Sequence, residues 1–367
     1  MSHSQDFTLG VEEEYQIVDV ETRELHPRAL RILPGARAAV GDQVTPEMYL
    51  SQIEIATPVC RDLAEVRAEL TRLRREVGGA AARQGSRIAA AGIHPFSHWE
   101  DQEITPRRRY TSIAEEYEQL AREHLIYGCH VHVGIADREA AVQMMNRARL
   151  WLAPLLALAA NSPFWLGSDT GYASYRTERR WPMAGTPQEF ESRSEYDRLV
   201  EVLVATGSVA DATKIYWDVR PSARFETLEF RVTDVCLTVD EAVMIAGLIR
   251  ALARTCHGQV MRGDPPHPVR PELLRAAKWR AARYGLDADL IDVEKAEAVP
   301  AHELVERLLT RLRDALEEDG VWEEVGELVR AVLRGGNGAA RQRAAFARAG
   351  SLEGVVDFIV GETLTPE

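Results

Sequence analysis

The stretch that decides the fold is Phe7-Thr-Leu-Gly-Val-Glu-Glu-Glu-Tyr-Gln-Ile-Val18. Its apolar and β-favouring residues, followed by a polar, turn-like run up to Pro27, predict a strand over residues 7–20. Because successive side chains of a strand point to opposite faces, Glu12 and Glu14 share one face. Two neighbouring carboxylates repel each other, and burial raises their pKa values unless a cation lies between them. A solvated acidic face is the alternative, but the residues on either side have an interior character.

Two later segments alternate in the same way. Met48 to Thr57 carries Glu54 between two isoleucines, and Gly128-Cys-His-Val-His-Val-Gly134 carries His130 and His132. Either segment has an ordinary explanation, since Glu54 could face solvent and the histidines could be packed and hydrogen-bonded. An H-x-H pair on a strand is also a known metal-binding pattern.

A fourth alternating segment, Thr227 to Val235, puts Glu229 and Arg231 on one face, where they could form a simple salt bridge. Four strands therefore each carry a metal-capable side chain. A set of several carboxylates and one imidazole suits magnesium better than zinc, because hard cations prefer oxygen ligands.

Arginines lie close to these strands. Arg220 and Arg231 are in or beside strands, and Arg176, Arg179 and Arg180 lie in one loop. Their planar guanidinium groups could bind phosphate oxygens and substrate carboxylates, although an arginine-rich chain has arginines everywhere. No P-loop and no dinucleotide-binding glycine motif is present, so metal and arginine would have to bind the phosphates.

Few strand–helix–strand alternations occur, so the fold class is α+β with a mostly antiparallel sheet. Residues 1–367 are interpreted as a single catalytic domain with a helical C-terminal third, from about residue 270 to 367. Periodicity predicts further elements. These are helices over 63–77, 113–125, 138–160, 195–205 and 239–260, and strands over 88–93 and 214–219.

The composition is that of an ordinary globular protein, and the formal net charge of -13 argues against a nucleic acid or an anionic membrane as partner. Four scattered cysteines without C-x-x-C spacing favour a reducing cytoplasm. The first ten residues lack the pattern of a secretory signal. The apolar run from Leu150 to Ala160 is too short for a membrane span and predicts a buried helix.

Together these motifs resemble the carboxylate-amine ligase branch of the glutamate-cysteine ligase family. The matching motifs, in order along the chain, are F-T-L-G-V-E-E-E-Y-Q-I-V, S-Q-I-E-I-A-T, G-C-H-V-H-V-G, N-S-P-F-W-L-G-S-D-T-G-Y-A-S-Y-R, W-D-V-R-P-S and T-L-E-F-R-V-T-D. The resemblance implies a glutamine-synthetase-like catalytic fold, in which a curved, mostly antiparallel sheet forms a funnel with helices packed outside. It implies ATP and Mg²⁺ as cofactors, with Mn²⁺ as an alternative ion. By the same resemblance, the metal ligands are Glu12, Glu14, Glu54, His130 and Glu229, and Arg231 lies near the transferred phosphate. We expect Arg231 and Arg220 to be the catalytic arginines. We expect the substrate- or nucleotide-binding residues to be Arg176, Tyr175 and His132.

The implied reaction begins with attack of a substrate carboxylate on the γ-phosphate of ATP. An amine then attacks the acyl phosphate, and an amide, which could be γ-glutamyl, is formed with release of ADP and phosphate. No motif identifies the amine as cysteine, and a homodimer is one option that the sequence leaves open. Two alternatives remain: a metal-dependent amidohydrolase, suggested by His130-Val-His132, and a non-catalytic ATP- or metabolite-binding protein of the same fold.

Overall fold

The computed structural model describes residues 7–179 and 181–365, so that Arg180, the first six residues and the last two lie outside the described part. The strands are β1 (Leu9–Asp19), β2 (Val44–Pro46), β3 (Gln52–Ala56), β4 (Ser86–Ala89), β5 (Gly128–Gly134), β6 (Phe164–Trp165), β7 (Ser168–Asp169), β8 (Ala184–Gly185), β9 (Tyr216–Trp217), β10 (Val219–Pro221), β11 (Thr227–Asp234), β12 (Asp289–Asp292) and β13 (Glu297–Pro300). The α-helices are α1 (Ala29–Val40), α2 (Leu63–Ala82), α3 (Arg108–Tyr117), α4 (Gln119–Arg122), α5 (Arg138–Ala148), α6 (Leu152–Ala159), α7 (Arg193–Ala205), α8 (Val239–Arg262), α9 (Pro271–Tyr284), α10 (Ala301–Glu318), α11 (Trp322–Gly335), α12 (Gly338–Ala349) and α13 (Leu352–Leu364).

One seven-stranded sheet dominates the first two thirds of the chain. Its order is β10-β11-β5-β1-β3-β2, and β4 also pairs with the second half of β1. Every pairing within this sheet is antiparallel. The expectation of an antiparallel α+β architecture is therefore confirmed, with the strand that opens the chain at the centre of the sheet.

The sheet has one face covered by helices. Val11, Tyr15 and Ile17 point to this side and are buried. Helices α2 and α8 pack against it and against each other. Both begin with sequence-encoded caps: Asp62 accepts the Glu65 amide at the start of α2, and Thr238 forms a capping box at the start of α8. The opposite face of the sheet is left open to a cavity.

Most predicted elements form, with shifted ends. The predicted helix over 113–125 is instead the pair α3 and α4, because Glu118 between them has a φ of 47°. The strand expected over 48–57 is regular only over β3, since residues 48–51 turn the chain out of β2. The helix expected over 138–160 is divided into α5 and α6 by a short 3-10 turn. Pro154 then lies in the first turn of α6, where its missing N–H costs no helical hydrogen bond.

The C-terminal part is not continuously helical. A hairpin of β12 and β13 interrupts it, with Leu290 opposite Val299 and both side chains buried. Helices α9 and α10 pack against this hairpin. Burial in the tertiary structure therefore determines the strand conformation of a segment whose local composition favours a helix. Helix α10 also packs against α8, and α13 packs against β4. Within the described residues, none of the helices combines the length and the apolar character that crossing a membrane requires.

Candidate active site

The open face of the sheet forms the floor of a cavity of about 470 Å³. Nine of the ten residues predicted for the site line it: Glu12, Glu14, Glu54, His130, His132, Arg176, Arg220, Glu229 and Arg231. Tyr175 is not among the lining residues. Its ring instead lies near those of Trp165 and Tyr172, at centroid distances of 6.3 and 5.9 Å.

Three glutamates that line the cavity form a carboxylate cluster. Glu14 and Glu54 are directly opposite in the register of β1 and β3, and Glu47 follows the end of β2. One oxygen from each of the three lies within 4.8 Å of the others. Among the described residues, no other group of three potential ligands converges this closely.

Burial and mutual repulsion disfavour ionisation of this cluster. Burial, followed by the charges of Glu12, Glu47 and Glu14, raises the pKa of Glu54 well above its usual value. Burial and the charge of Glu14 raise the pKa of Glu47 to about 7. The pKa of Glu14 is also raised, mainly by burial, although Arg176 and the Gly128 amide oppose the shift. A cation would relieve this repulsion, and three oxygen ligands suit a hard divalent ion.

Glu12 joins both histidines of β5. Its Oε2 lies 3.2 Å from His130 Nδ1, and its Oε1 lies 3.5 Å from His132 Nε2. Burial alone would raise the pKa of Glu12, but the two histidines hold it well below its usual value. The same carboxylate raises the pKa of His132 against burial, whereas burial and the charge of Arg231 lower the pKa of His130 to about 4. His130 is therefore a neutral imidazole at pH 7, the form that can act as a metal ligand.

Glu229 lies between two arginines. Arg220 donates to both of its carboxylate oxygens, with Nε–Oε2 at 3.0 Å, and Arg231 donates to Oε1. These charges overcome burial and lower the pKa of Glu229 far below its usual value. The salt bridge considered from the sequence is therefore present. Oε1 accepts from both arginines, whereas Oε2 accepts from Arg220 alone among the described residues, so a lone pair of Oε2 is left for a metal contact.

The two arginines differ in how their donors are used. Arg220 also donates to the carbonyls of Thr213 and Ile215, so protein acceptors occupy most of its guanidinium. Arg231 lies beside the bulge between β11 and β5, and its Nη1 reaches His130 Nδ1 at 3.3 Å. Arg220 therefore supports Glu229, while Arg231 lines the cavity with fewer protein acceptors among the described residues.

Arg176 enters the cavity across β5. A Cβ atom added to Gly128 would collide with its Nη2, so only glycine lets this guanidinium approach the strand. Behind it, buried Asp234 accepts hydrogen bonds from the Asn161 amide and from the hydroxyls of Ser162 and Ser174. Asp234 thus joins the loop that carries Arg176 to the sheet.

Sequence reasoning missed Glu47 and Asp234. The predicted strand begins at Met48, one residue after Glu47, although an acidic residue beside an alternating segment is a usable signal. Asp234 ends the motif T-L-E-F-R-V-T-D, but nothing in that motif reveals the loop it binds.

Comparison with known proteins shows the family and the fold to which this site belongs. Residues 8–357 match the model of the family described as "Glutamate-cysteine ligase family 2(GCS2)". A protein of Herpetosiphon aurantiacus, named "Putative glutamate--cysteine ligase 2", is 41% identical over 360 residues, which are 98% of this chain and 93% of the relative. A protein of Rhodopirellula baltica with the same name is 42% identical over 364 residues, 97% of each chain.

Solved structures share the fold at low identity. The chain is similar to a bifunctional glutathione synthetase of Pasteurella multocida, with a TM-score of 0.72 and 18% identity, over 98% of this chain and 52% of that one, so it spans about half of that protein. It is also similar to a glutamate–cysteine ligase of Francisella tularensis solved with AMP, with a TM-score of 0.69 and 13% identity, over 99% of this chain and 90% of that one. These likenesses confirm the expected α+β, glutamine-synthetase-like fold.

Proposed function

We propose a reaction for this chain from the premise that it belongs to glutamate-cysteine ligase family 2. The chain is an ATP-dependent ligase that joins a carboxylate to an amine. The amidohydrolase and the non-catalytic binding protein considered from the sequence are not favoured. We infer further that the carboxylate is activated as an acyl phosphate, and that the released products are ADP and phosphate.

The observation that carries this proposal is the charge pattern of the open sheet face. A carboxylate cluster, a Glu12–histidine network and the guanidinium groups of Arg231 and Arg176 all face one cavity. Reactions that bring a carboxylate to a nucleoside triphosphate gather many anionic oxygens, and both divalent cations and arginines neutralise them. A cavity lined by these acidic and cationic side chains would not suit an uncharged substrate.

The donor set fits magnesium, with manganese as the alternative. Glu14, Glu47 and Glu54 offer oxygen atoms within 4.8 Å of one another, and their pKa values are raised first by burial and then by mutual repulsion, which a cation would relieve. Glu12, His130 and Glu229 would form a second set of ligands. When bound, the cation would neutralise phosphate oxygens and make the γ-phosphorus more electrophilic.

In the first step, an oxygen of the substrate carboxylate forms a bond to the γ-phosphorus of ATP. The bond from phosphorus to the bridging oxygen breaks, and ADP leaves with that electron pair. The cationic residues Arg231 and Arg176 bind the equatorial oxygens, whose charge must be held throughout the transfer. Glu229 keeps Arg231 in position through their direct hydrogen bond.

In the second step, the amine nitrogen attacks the acyl carbon. The bond from carbon to the phosphate-bearing oxygen breaks, phosphate leaves with that electron pair, and it takes up the proton that the amine nitrogen loses. Little covalent chemistry falls to side chains, so positioning dominates catalysis. The two substrates that we propose are glutamate as carboxylate and cysteine as amine, the pair in the names of the relatives.

An ADP-release assay with purified protein, Mg²⁺ and pairs of amino acids and amines tests this proposal. ADP release that requires both partners is expected, and glutamate labelled with oxygen-18 in its carboxylates should transfer one label to phosphate. Release of AMP and pyrophosphate would refute the acyl-phosphate route. Turnover with ATP alone would instead indicate an ATPase. The cytoplasmic location and the homodimer remain predictions from the sequence.

A further inference from the structure

Lys278 is the one residue after Val232 that lines the catalytic cavity within the described part of the chain. It lies on α9, in the predominantly helical C-terminal part of the chain. The sequence holds two other lysines, Lys214 and Lys295, and neither lines this cavity. A lysine is therefore brought to the site by a helix that carries none of the recognised motifs.

The Lys278 ammonium is buried and donates to a single acceptor among the described residues. Its Nζ donates to Asp218 Oδ1 at 2.5 Å, and the other oxygen of Asp218 accepts the Thr186 hydroxyl at 2.9 Å. Lys278 is only 8% exposed. Since an ammonium has three N–H donors, two remain for which residues 7–179 and 181–365 provide no acceptor.

Asp218 ties this lysine to the reactive part of the sheet. Its backbone carbonyl accepts the Arg231 amide at 2.8 Å, and Arg220 follows it on β10. Lys278 therefore has a fixed position relative to the strands that carry both arginines. Its charge is balanced by Asp218 in the substrate-free protein, which lowers the cost of burying the ammonium.

The surroundings of Lys278 are open on two sides. Besides the catalytic cavity, it lines a neighbouring cavity of about 430 Å³, formed by α9 and by residues 184–188. Ala184 is the other residue common to both cavities. The ammonium thus stands in the wall between two spaces, where its remaining donors can meet a ligand.

We propose that Lys278 is a substrate-binding residue, whose ammonium donates to an anionic oxygen of the reactants while Asp218 holds it in place. This inference rests on the proposed ligase function. The anionic oxygen belongs either to the polyphosphate of ATP or to the carboxylate substrate, and the chemistry of recognition is the same for both. A lysine suits either one because it acts as a compact point charge with several donors.

Amine acetylation read by mass spectrometry tests the binding role without requiring turnover. Because the chain has only three lysines, the rate of modification by an N-hydroxysuccinimide ester of acetate can be followed at each one. Inorganic tripolyphosphate or glutamate, added separately at saturation, should slow modification of Lys278 at least tenfold relative to that of exposed Lys295, whose rate corrects for the ester that the amine of glutamate consumes. Protection by tripolyphosphate identifies the phosphate source, and protection by glutamate identifies the carboxylate source.

Two results would overturn the proposal. One is that Lys278 is never modified in the substrate-free protein, and the other is that neither anion slows its modification. If the wild-type protein shows no ligase turnover but Lys278 is still protected, the proposed reaction fails while the anion site stands. The two inferences are therefore tested separately.

Kinetics of matched variants provide the second test. Lys278→Met alone leaves Asp218 unpaired, so the double variant Lys278→Met/Asp218→Asn, which removes both charges, keeps the test independent of folding. We expect the double variant to keep the wild-type melting temperature and to lose at least tenfold in kcat/KM for the anion that protects Lys278. The single variant Lys278→Arg, which keeps the positive charge, should lose less than the double variant. Lys295→Met is the control. Wild-type kinetics in the double variant would show that the pair is only structural.

Discussion

Arg74 of α2 and Glu13 of β1 form a two-point ion pair in the protein interior, with Nη2–Oε1 at 2.6 Å and Nε–Oε2 at 3.0 Å. Both side chains are almost fully buried. Arg74 also donates to the carbonyls of Cys236 and Leu237, at 2.9 and 3.0 Å. The middle glutamate of the triplet thus anchors a helix on one side of the sheet, while its two neighbours face the cavity on the other.

Removing Arg74 should destabilise the fold rather than the chemistry. Arg74→Met leaves the Glu13 carboxylate buried without its cation, so we expect the free energy of unfolding to fall by about 3–5 kcal/mol in chemical denaturation. Its neighbour Arg75 has a side chain that is 71% exposed. Arg75→Met should therefore change stability by less than about 0.5 kcal/mol, and equal losses in the two variants would contradict the assignment.

Glu12→Gln should abolish turnover, because it removes a proposed metal ligand. The protein should stay folded, since the loss of the contacts with both histidines is accompanied by the loss of repulsion between Glu12 and Glu54. Magnesium–ATP affinity, measured by titration calorimetry, should fall with it. Exposed Glu24→Gln is the control. Glu229→Gln is a poorer test, since it deprives buried Arg220 and partly buried Arg231 of their counter-charge. Wild-type rates in Glu12→Gln would argue against the cavity as the active site.

Glu47 should make stability depend on pH. Its pKa is raised from the ordinary value of 4.5 to about 7 in the folded protein, so the protonated group favours folding. That contribution is complete below about pH 4.5 and is lost as the pH rises to about 7. Without metal, the melting temperature of the wild type should therefore fall more over this window than that of Glu47→Gln.

Added Mg²⁺ should reverse the same effect, because a cation binds the ionised form of the cluster. The increase in melting temperature should therefore be larger at pH 7.5 than at pH 5.5. At a hundredfold excess of the ion over its Kd, the stabilisation should be on the order of 2.7 kcal/mol, the value that ordinary ligand linkage gives. Identical increases at both pH values, together with identical pH slopes in the wild type and Glu47→Gln, would count against Glu47 as a ligand.

Gly128→Ala should impair activity with little loss of stability. The new methyl group would collide with Arg176 Nη2 and lie 3.0 Å from His130 Nε2, and the flexible arginine would move away. Gly10→Ala, on the adjacent strand, adds a methyl group 3.7 Å from His132, which is an ordinary contact. Steady-state kinetics should separate the two variants, and equal activity would mean that Arg176 does not need its present position.

Arg231→Lys keeps the positive charge but loses the planar fork that reaches Glu229 and His130. We expect a loss of about 2–4 kcal/mol in transition-state stabilisation, measured as kcat/KM, by analogy with the removal of one preorganised donor. A variant that is as active as the wild type would show that charge alone suffices at this position.

Strand periodicity accounts for what could be predicted about the site. The alternation in the four motif segments put Glu12, Glu14, Glu54, His130, Glu229 and Arg231 on side-chain faces that the structure brings to one cavity. The C-terminal hairpin could not be predicted in this way, because its short strands are stabilised by burial against α9 and α10. Tyr175 is next to Arg176 in the sequence, but the loop turns its ring towards other aromatic residues.

The sequence by itself determined the α+β class, the presence of the first strand and the face on which its glutamates lie, because a period of two fixes side-chain direction locally. Only the tertiary structure decided which groups meet across long distances in the chain. It joined Glu47 to Glu14 and Glu54, gave Glu13 its partner on α2, and brought Lys278 from α9 to Asp218. Such contacts depend on strand order and helix packing, which no local pattern encodes.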